Sequence, residues 1–229
     1  MRRGITAALL ALLFVAVIAA PCFAGVHATA ICNAPCQAVY YDMVIQAMDA
    51  KWSTTNNTRF VLHTGWVLDA DGSWIENGFM DGAHRTGDGK IVYWHGFYNA
   101  AGRMSGGSLI AYEENTYTGP STTIGTKHTF TTMKSGTGEW SVYVDGSLVH
   151  KYYLTDGTRM EAGLETNDQA TTSATWSEQN FMMFGSAGWE YWKGGFLNNQ
   201  DGAWGLDVQW VTEPQTDGSV APAIKTSKT

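Results

Sequence analysis

Short runs of alternating apolar and polar residues, broken about every ten residues by clusters of Gly, Asn, Asp and Thr, leave this 229-residue chain few folds to adopt. A period of two buries one face of a sheet, and turn signals at that spacing mark an all-β sandwich or barrel. The pattern predicts strands near Arg59–Trp66, Ser73–Phe79, Lys90–Asn99, Gly107–Glu113, Lys127–Lys134, Glu139–Asp145, Leu148–Leu154, Met160–Asn167, Gln179–Phe184 and Gly205–Thr212. Asp71-Gly72, Asp88-Gly89 and Asp145-Gly146 read as hairpin turns, because Asp-Gly accepts the positive φ angles of a two-residue loop. Between Tyr40 and Met48 two periods compete: Val44, Ile45 and Met48 stand at helical spacing, while Val39, Tyr41, Met43 and Ile45 alternate. No fixed-period internal repeat is present.

The stretch from Glu139 to Asp168 concentrates the chemistry. Trp140, Val142 and Val144 alternate with Ser141, Tyr143 and Asp145, and a return strand follows the Asp145-Gly146 turn. In the third strand Met160, Ala162 and Leu164 share one face, and Glu161, Gly163 and Glu165 the other. Two acids separated on one face by a single glycine form an acidic floor that a ligand backbone could approach closely. The competing reading is a solvated outer face. In Phe60-Val61-Leu62-His63-Thr64-Gly65-Trp66, the residues Val61, His63 and Gly65 share a face and Phe60 and Leu62 pack on the other. A lone strand histidine is more often structural than functional.

The N-terminus reads as an export signal, residues 1–30. Arg2 and Arg3 precede an uncharged apolar run from Ile5 to Ala20, and Ala24, Ala28 and Ala30 offer small-residue cleavage sites. Cleavage after Ala30 fits that pattern best, with Ala24 the alternative, and leaves a single domain over 31–212 and a loose polar tail over 213–229. Loss of the two arginines leaves 12 basic against 21 acidic residues, a charge near −9, which argues against nucleic acid and anionic membranes as partners. In an oxidising compartment Cys32 and Cys36 are expected to pair as a small disulfide loop. Ten Trp, ten Tyr and nine Phe are abundant; many belong to the core, since a sandwich needs large side chains between its sheets, and some are expected on the concave face or the loops.

The middle of the chain resembles the concanavalin-like jelly rolls of the glutamic peptidases, the eqolisin and neprosin families, and secreted bacterial relatives of them. Leu62-His63-Thr64-Gly65-Trp66 is similar to the family segment with a glutamine or glutamate two residues before a glycine. Trp140 to Gly146 resembles a W-x-x-x-x-D-G hairpin, and Ala162-Gly163-Leu164-Glu165-Thr166 resembles the strand bearing the catalytic glutamate. Trp189-Glu190-Tyr191-Trp192, Trp204 and Trp210 resemble the closing part of those relatives. The resemblance implies an all-β, two-sheet antiparallel jelly roll and a water-activating acid/base site. It casts Glu165 as general base, His63 as donor in place of the family's Gln or Glu, and Glu161 as a tuning neighbour. Glu76, which shares a face with Trp74, is a candidate substitute acid.

A second similarity competes: Tyr191-Trp192-Lys193-Gly194-Gly195-Phe196 resembles a strand of jelly-roll polysaccharide lyases, though their R-T-E-L-R and Q-I-H segments are missing. A non-catalytic glycan-binding sandwich is the third reading. Trp66, Trp74, Glu76, Tyr143, Tyr191, Trp192 and Lys193 are the expected substrate contacts, with an extracellular polypeptide or polysaccharide as partner. No P-loop, dinucleotide fingerprint, G-x-S-x-G elbow or clustered His site occurs, so neither a cofactor nor a metal is expected.

Overall fold

A computed structural model describes residues 25–192, 196–199, 202–214 and 219–229. In chain order the strands are β1 (Val26–Cys32), β2 (Ala38–Val44), β3 (Met48–Asp49), β4 (Phe60–Leu68), β5 (Trp74–Arg85), β6 (Ile91–Ser105), β7 (Ser108–Tyr117) and β8 (Lys127–Lys134). There follow β9 (Glu139–Val144), β10 (Ser147–Tyr153), β11 (Arg159–Thr166), β12 (Thr172–Gly185), β13 (Gly188–Tyr191), β14 (Phe196–Asn199), β15 (Leu206–Pro214) and β16 (Val220–Lys228). They form two antiparallel sheets. The first runs β14-β1-β11-β4-β5-β6-β7, and the second β10-β9-β8-β2-β12-β16-β15, with β3 and β13 added on β12.

Alternation decides what lies between the sheets. Trp140, Val142 and Val144 of β9 are buried together with Tyr41 and Met43 of β2 and Trp176 and Phe181 of β12. Opposite them the first sheet contributes Ala28, Ala30, Val61, Phe79, Phe97, Ala162 and Leu164. Each buried tryptophan matters: truncating one such side chain typically costs about 3–5 kcal/mol. Trp140 also satisfies its indole N–H on the Leu154 carbonyl at 2.9 Å. The competition between Tyr40 and Met48 resolves as strand, since Val39, Tyr41, Met43 and Ile45 all face the core.

The Asp145-Gly146 turn has φ of 49° and 74° at its two residues, the pair of positive angles that matches the twist of a tight hairpin. Asp145 is held there by the Thr129 N–H at 2.9 Å and by His128 Nδ1 at 2.8 Å.

Three expectations about the chain ends are corrected. Residues 26–30 belong to the fold: β1 pairs with β11 along its whole length and with β14 on its other side. Ala28 and Ala30, which mimic cleavage-site residues, are fully buried, their small size suiting the packing against the opposite sheet. Residues 220–228 are no tail, because β16 lies between β12 and β15. Its Lys228 is buried and donates to the carbonyls of Gln169 and Trp204 at 2.8 and 2.9 Å. Third, Cys32 and Cys36 are both free thiols. Separate pairings fix their backbones, Cys32 against Met160 in the β1–β11 ladder and Cys36 against Gly157 in an isolated bridge. Burial, with Cys32 adding to it, pushes the Cys36 thiol up to about 12. The arginine-led segment over 1–24 lies outside the described residues, as does Lys193.

Candidate active site

The even-numbered residues of β4 and the odd-numbered ones of β11 share the outer face of the first sheet. Directly opposed residues on antiparallel strands point to the same side. Two rows follow from the register. One is His27, Glu165, Leu62 and Met80; the other is Ile31, Glu161, Trp66, Glu76 and Ala100. Phe60, Leu62, Trp66, Met80, Tyr98 and Ala100 pack there as a second apolar cluster, apart from the inter-sheet core. This cluster lines a groove with a cavity of about 270 Å³.

Into that apolar groove project the carboxylates Glu76, Glu114, Glu161 and Glu165. Glu165 is 13% exposed and has His27 Nε2 at 3.4 Å from its Oε2. The His27 ring stacks on Trp66 with centroids 5.6 Å apart. Burial by itself would push that imidazole down, but Glu165, then Glu161 and Glu76, outweigh it and hold it above its ordinary value. Glu76 is 3% exposed; its Oε2 accepts the Trp66 indole N–H at 2.9 Å, and its Oε1 lies 3.1 Å from the Tyr98 hydroxyl. Tyr98 in turn meets the Tyr112 hydroxyl at 3.0 Å. Burial first, and the charge of Glu165 second, push the Glu76 carboxyl up to about 8. Glu161 is engaged at the sheet surface, by Arg159 and by the Thr29 hydroxyl at 3.1 Å.

No protein-family model matches the chain, and no curated protein does. Among solved structures, scytalido-glutamic peptidase with a transition state analog inhibitor superposes with a TM-score of 0.52 at 11% identity, covering 90% of this chain and 98% of that one. The fold is a glutamic-peptidase-like jelly roll. SCP-B, a member of the Eqolisin family in complex with a tripeptide, gives a TM-score of 0.43 at 12% identity, covering 90% of this chain and 98% of that one. A Bacillus licheniformis beta-glucanase gives 0.36 at 9%, over 88% and 70%.

On this glutamic-peptidase-like frame the expected pair of His63 and Glu165 does not meet. His63 is fully buried between the sheets. Its Nε2 lies 2.8 Å from the Ser173 hydroxyl, its Nδ1 lies 2.9 Å from the Thr226 hydroxyl, and its ring stacks on Trp176 at 4.5 Å. Burial holds the imidazole down to about 3, so it is a neutral core residue. The open floor expected at Gly163 is also filled. A Cβ there would overlap the Ala28 carbonyl of the neighbouring strand, and φ is 144°, so glycine serves the close approach of β1.

Of the expected contacts, Trp66, Trp74 and Glu76 line the groove with Glu161 and Glu165. Tyr143 lies on β9 of the second sheet and does not. Tyr191 is exposed on β13, and Trp192 is buried in the inter-sheet core, and neither lines the groove. His27 went unrecognised, since it sits inside the stretch assigned to the export signal. Its own signal was present: Val26, Ala28 and Ala30 alternate with His27, Thr29 and Ile31 in the strand period.

Proposed function

We propose that this chain is an exported hydrolase that cleaves extended polypeptide in the outer groove. The observation that carries the reading is the pairing of unlike carboxyl environments in one groove. Glu165 is partly exposed beside His27, whereas Glu76 is buried among aromatic rings and holds its proton up to about pH 8. Two acids in such different surroundings divide the general-base and general-acid roles. Glu165 takes a proton from a water as that water attacks the scissile carbonyl. The protonated Glu76, fixed by Trp66 and Tyr98, donates toward the developing oxyanion. His27 balances the charge on Glu165 and orients it, and the apolar lining excludes bulk water, which strengthens each of these interactions. The resemblance of the fold to a glutamic peptidase supports the assignment, and Glu76 takes the part first expected of His63.

Purified protein incubated with a denatured protein mixture between pH 3 and pH 7 is expected to generate new amino termini, and Glu165→Gln, with its fold intact, to generate none. No cleavage by the wild type would defeat the reading.

A second reading, a glycan-binding module, is favoured by the aromatic lining, in which Trp74 and Tyr112 lie with ring centroids 6.1 Å apart. Absence of cleavage together with retention on a polysaccharide column would select it.

A further inference from the structure

Gly25 lines the groove with its backbone against the Glu165 carboxylate. A Cβ at this position would overlap Oε1, Cγ and Cδ of Glu165, so bare backbone is what fits beside the acid. The residue before it closes Cys22-Phe23-Ala24, a segment with small residues at its first and third positions after an apolar run.

We propose that export processing cuts the amide bond between Ala24 and Gly25, and that the α-amino group so released completes the groove by pairing with Glu165. The step is a hydrolysis by a signal endopeptidase. Water adds across the bond, Ala24 leaves with the new carboxylate, and Gly25 keeps the amine, which takes up a proton. A neutral amide beside Glu165 becomes an ammonium.

Three observations converge on this bond. Cutting after Ala28 or Ala30 would remove His27 and much of β1, a strand hydrogen-bonded on both sides, and would strip a buried edge from β11. Cutting after Ala24 leaves every described strand whole. Charge points the same way. Four carboxylates line the groove, and Arg159 engages Glu161 while His84 lies 3.1 Å from Glu114. Glu165 has His27 at 3.4 Å, and an ammonium on Gly25 supplies a second cation where the chain already touches the carboxylate. The precursor and the mature chain thus differ in charge at the residue proposed as base, which ties the finished site to export.

The inference is tested without reference to hydrolysis, so its failure and that of the proposed activity are separable. The full-length chain is produced in a secreting host and the exported protein is submitted to N-terminal sequencing and intact-mass measurement. Gly25 is expected first; a chain beginning at Thr29 or Ile31, or one retaining the leader, would overturn the proposal. Labelling with 13C-glycine then allows the α-amino group to be titrated by NMR. Its midpoint is expected at least about half a unit above the ordinary 7.7–8.0, and back in that range in Glu165→Gln. A chain carrying one extra alanine before Gly25, which leaves Glu165 untouched and is labelled with 13C-alanine so that its own α-amino group is read, is expected to titrate normally. A wild-type midpoint in the ordinary range, or one that the added alanine leaves unmoved, would overturn the pairing.

Discussion

His63 and Glu165 project from opposite sides of one sheet: His63 faces Leu164 across the β4–β11 ladder, and Glu165, one residue along, faces Leu62. The imidazole is consequently committed to the core, where it joins Ser173 on β12 to Thr226 on β16. His63→Asn is expected to destabilise the protein by roughly 1–3 kcal/mol, the typical cost of leaving buried polar groups unpaired. Cleavage, measured on the fraction still folded, should be almost unaffected.

The same histidine sets an acid limit on stability. Its folded value, held down to about 3 by burial, lies below its ordinary 6.5. The unfolded chain therefore binds the extra proton first, so His63 costs nothing above pH 6.5 and weakens the fold progressively as pH falls toward 3. Denaturant titrations at several pH values should show this slope in the wild type and a smaller one in His63→Asn.

Buried glutamates act in the opposite sense. Burial raises the carboxyl of Glu178, which is fully buried with neither oxygen hydrogen-bonded among the described residues, and Glu76 is raised to about 8. For a carboxyl raised above its ordinary 4.5, the stabilising contribution is complete below that pH and is lost as pH climbs through the folded value. Glu178→Gln, read by chemical denaturation at pH 8, is expected to gain on the order of 1–3 kcal/mol, the scale of an uncompensated buried polar group. At pH 4 the gain should largely vanish.

Glu76 is asked to donate a proton, which makes its amide a discriminating substitution. Wild-type cleavage should decline as pH rises through about 8, where Glu76 ionises. Glu76→Gln keeps a donor and is expected to retain activity while losing that upper limb. Glu76→Leu, with no donor, should lose about 10²–10³-fold in kcat. A pH–rate profile of the three proteins is the check.

Because Cys32 and Cys36 are free thiols, reducing agent is expected to leave the thermal midpoint unchanged. Cys36 should react with a thiol reagent after unfolding and very slowly before it, since burial keeps its thiol protonated.

Alternation made the sandwich legible, and in places the strand itself: Lys127–Lys134 appears as β8 over the same residues that the period of two predicts. It also separated Met160, Ala162 and Leu164 from Glu161 and Glu165 correctly. What alternation lacks is a sign. In β4 the sets Phe60, Leu62, Trp66 and Val61, His63, Val67 are both apolar enough to be core, because the outer face carries a buried cluster of its own. Only the pairing of His63 with Leu164 fixes which set looks inward. The ends were hidden for another reason. β1 carries two alanines, Ala28 and Ala30, that imitate a processing site, and β16 mixes Ala, Pro, Thr, Ser and Lys with only Val220 and Ile224, its burial coming from neighbours distant in the chain. His27 disappeared with β1, and the site could not be assembled without it.

The central claim is that the outer-groove carboxylates, not the core histidine, perform the chemistry. Counting new amino termini released from a denatured protein at pH 4 by wild type, Glu165→Gln and His63→Asn tests it directly. Loss of a proton-transferring group should cost Glu165→Gln about 10²–10⁴-fold, with His63→Asn staying close to wild type per folded molecule. Undiminished cleavage by Glu165→Gln, or its abolition in a folded His63→Asn, would contradict the account.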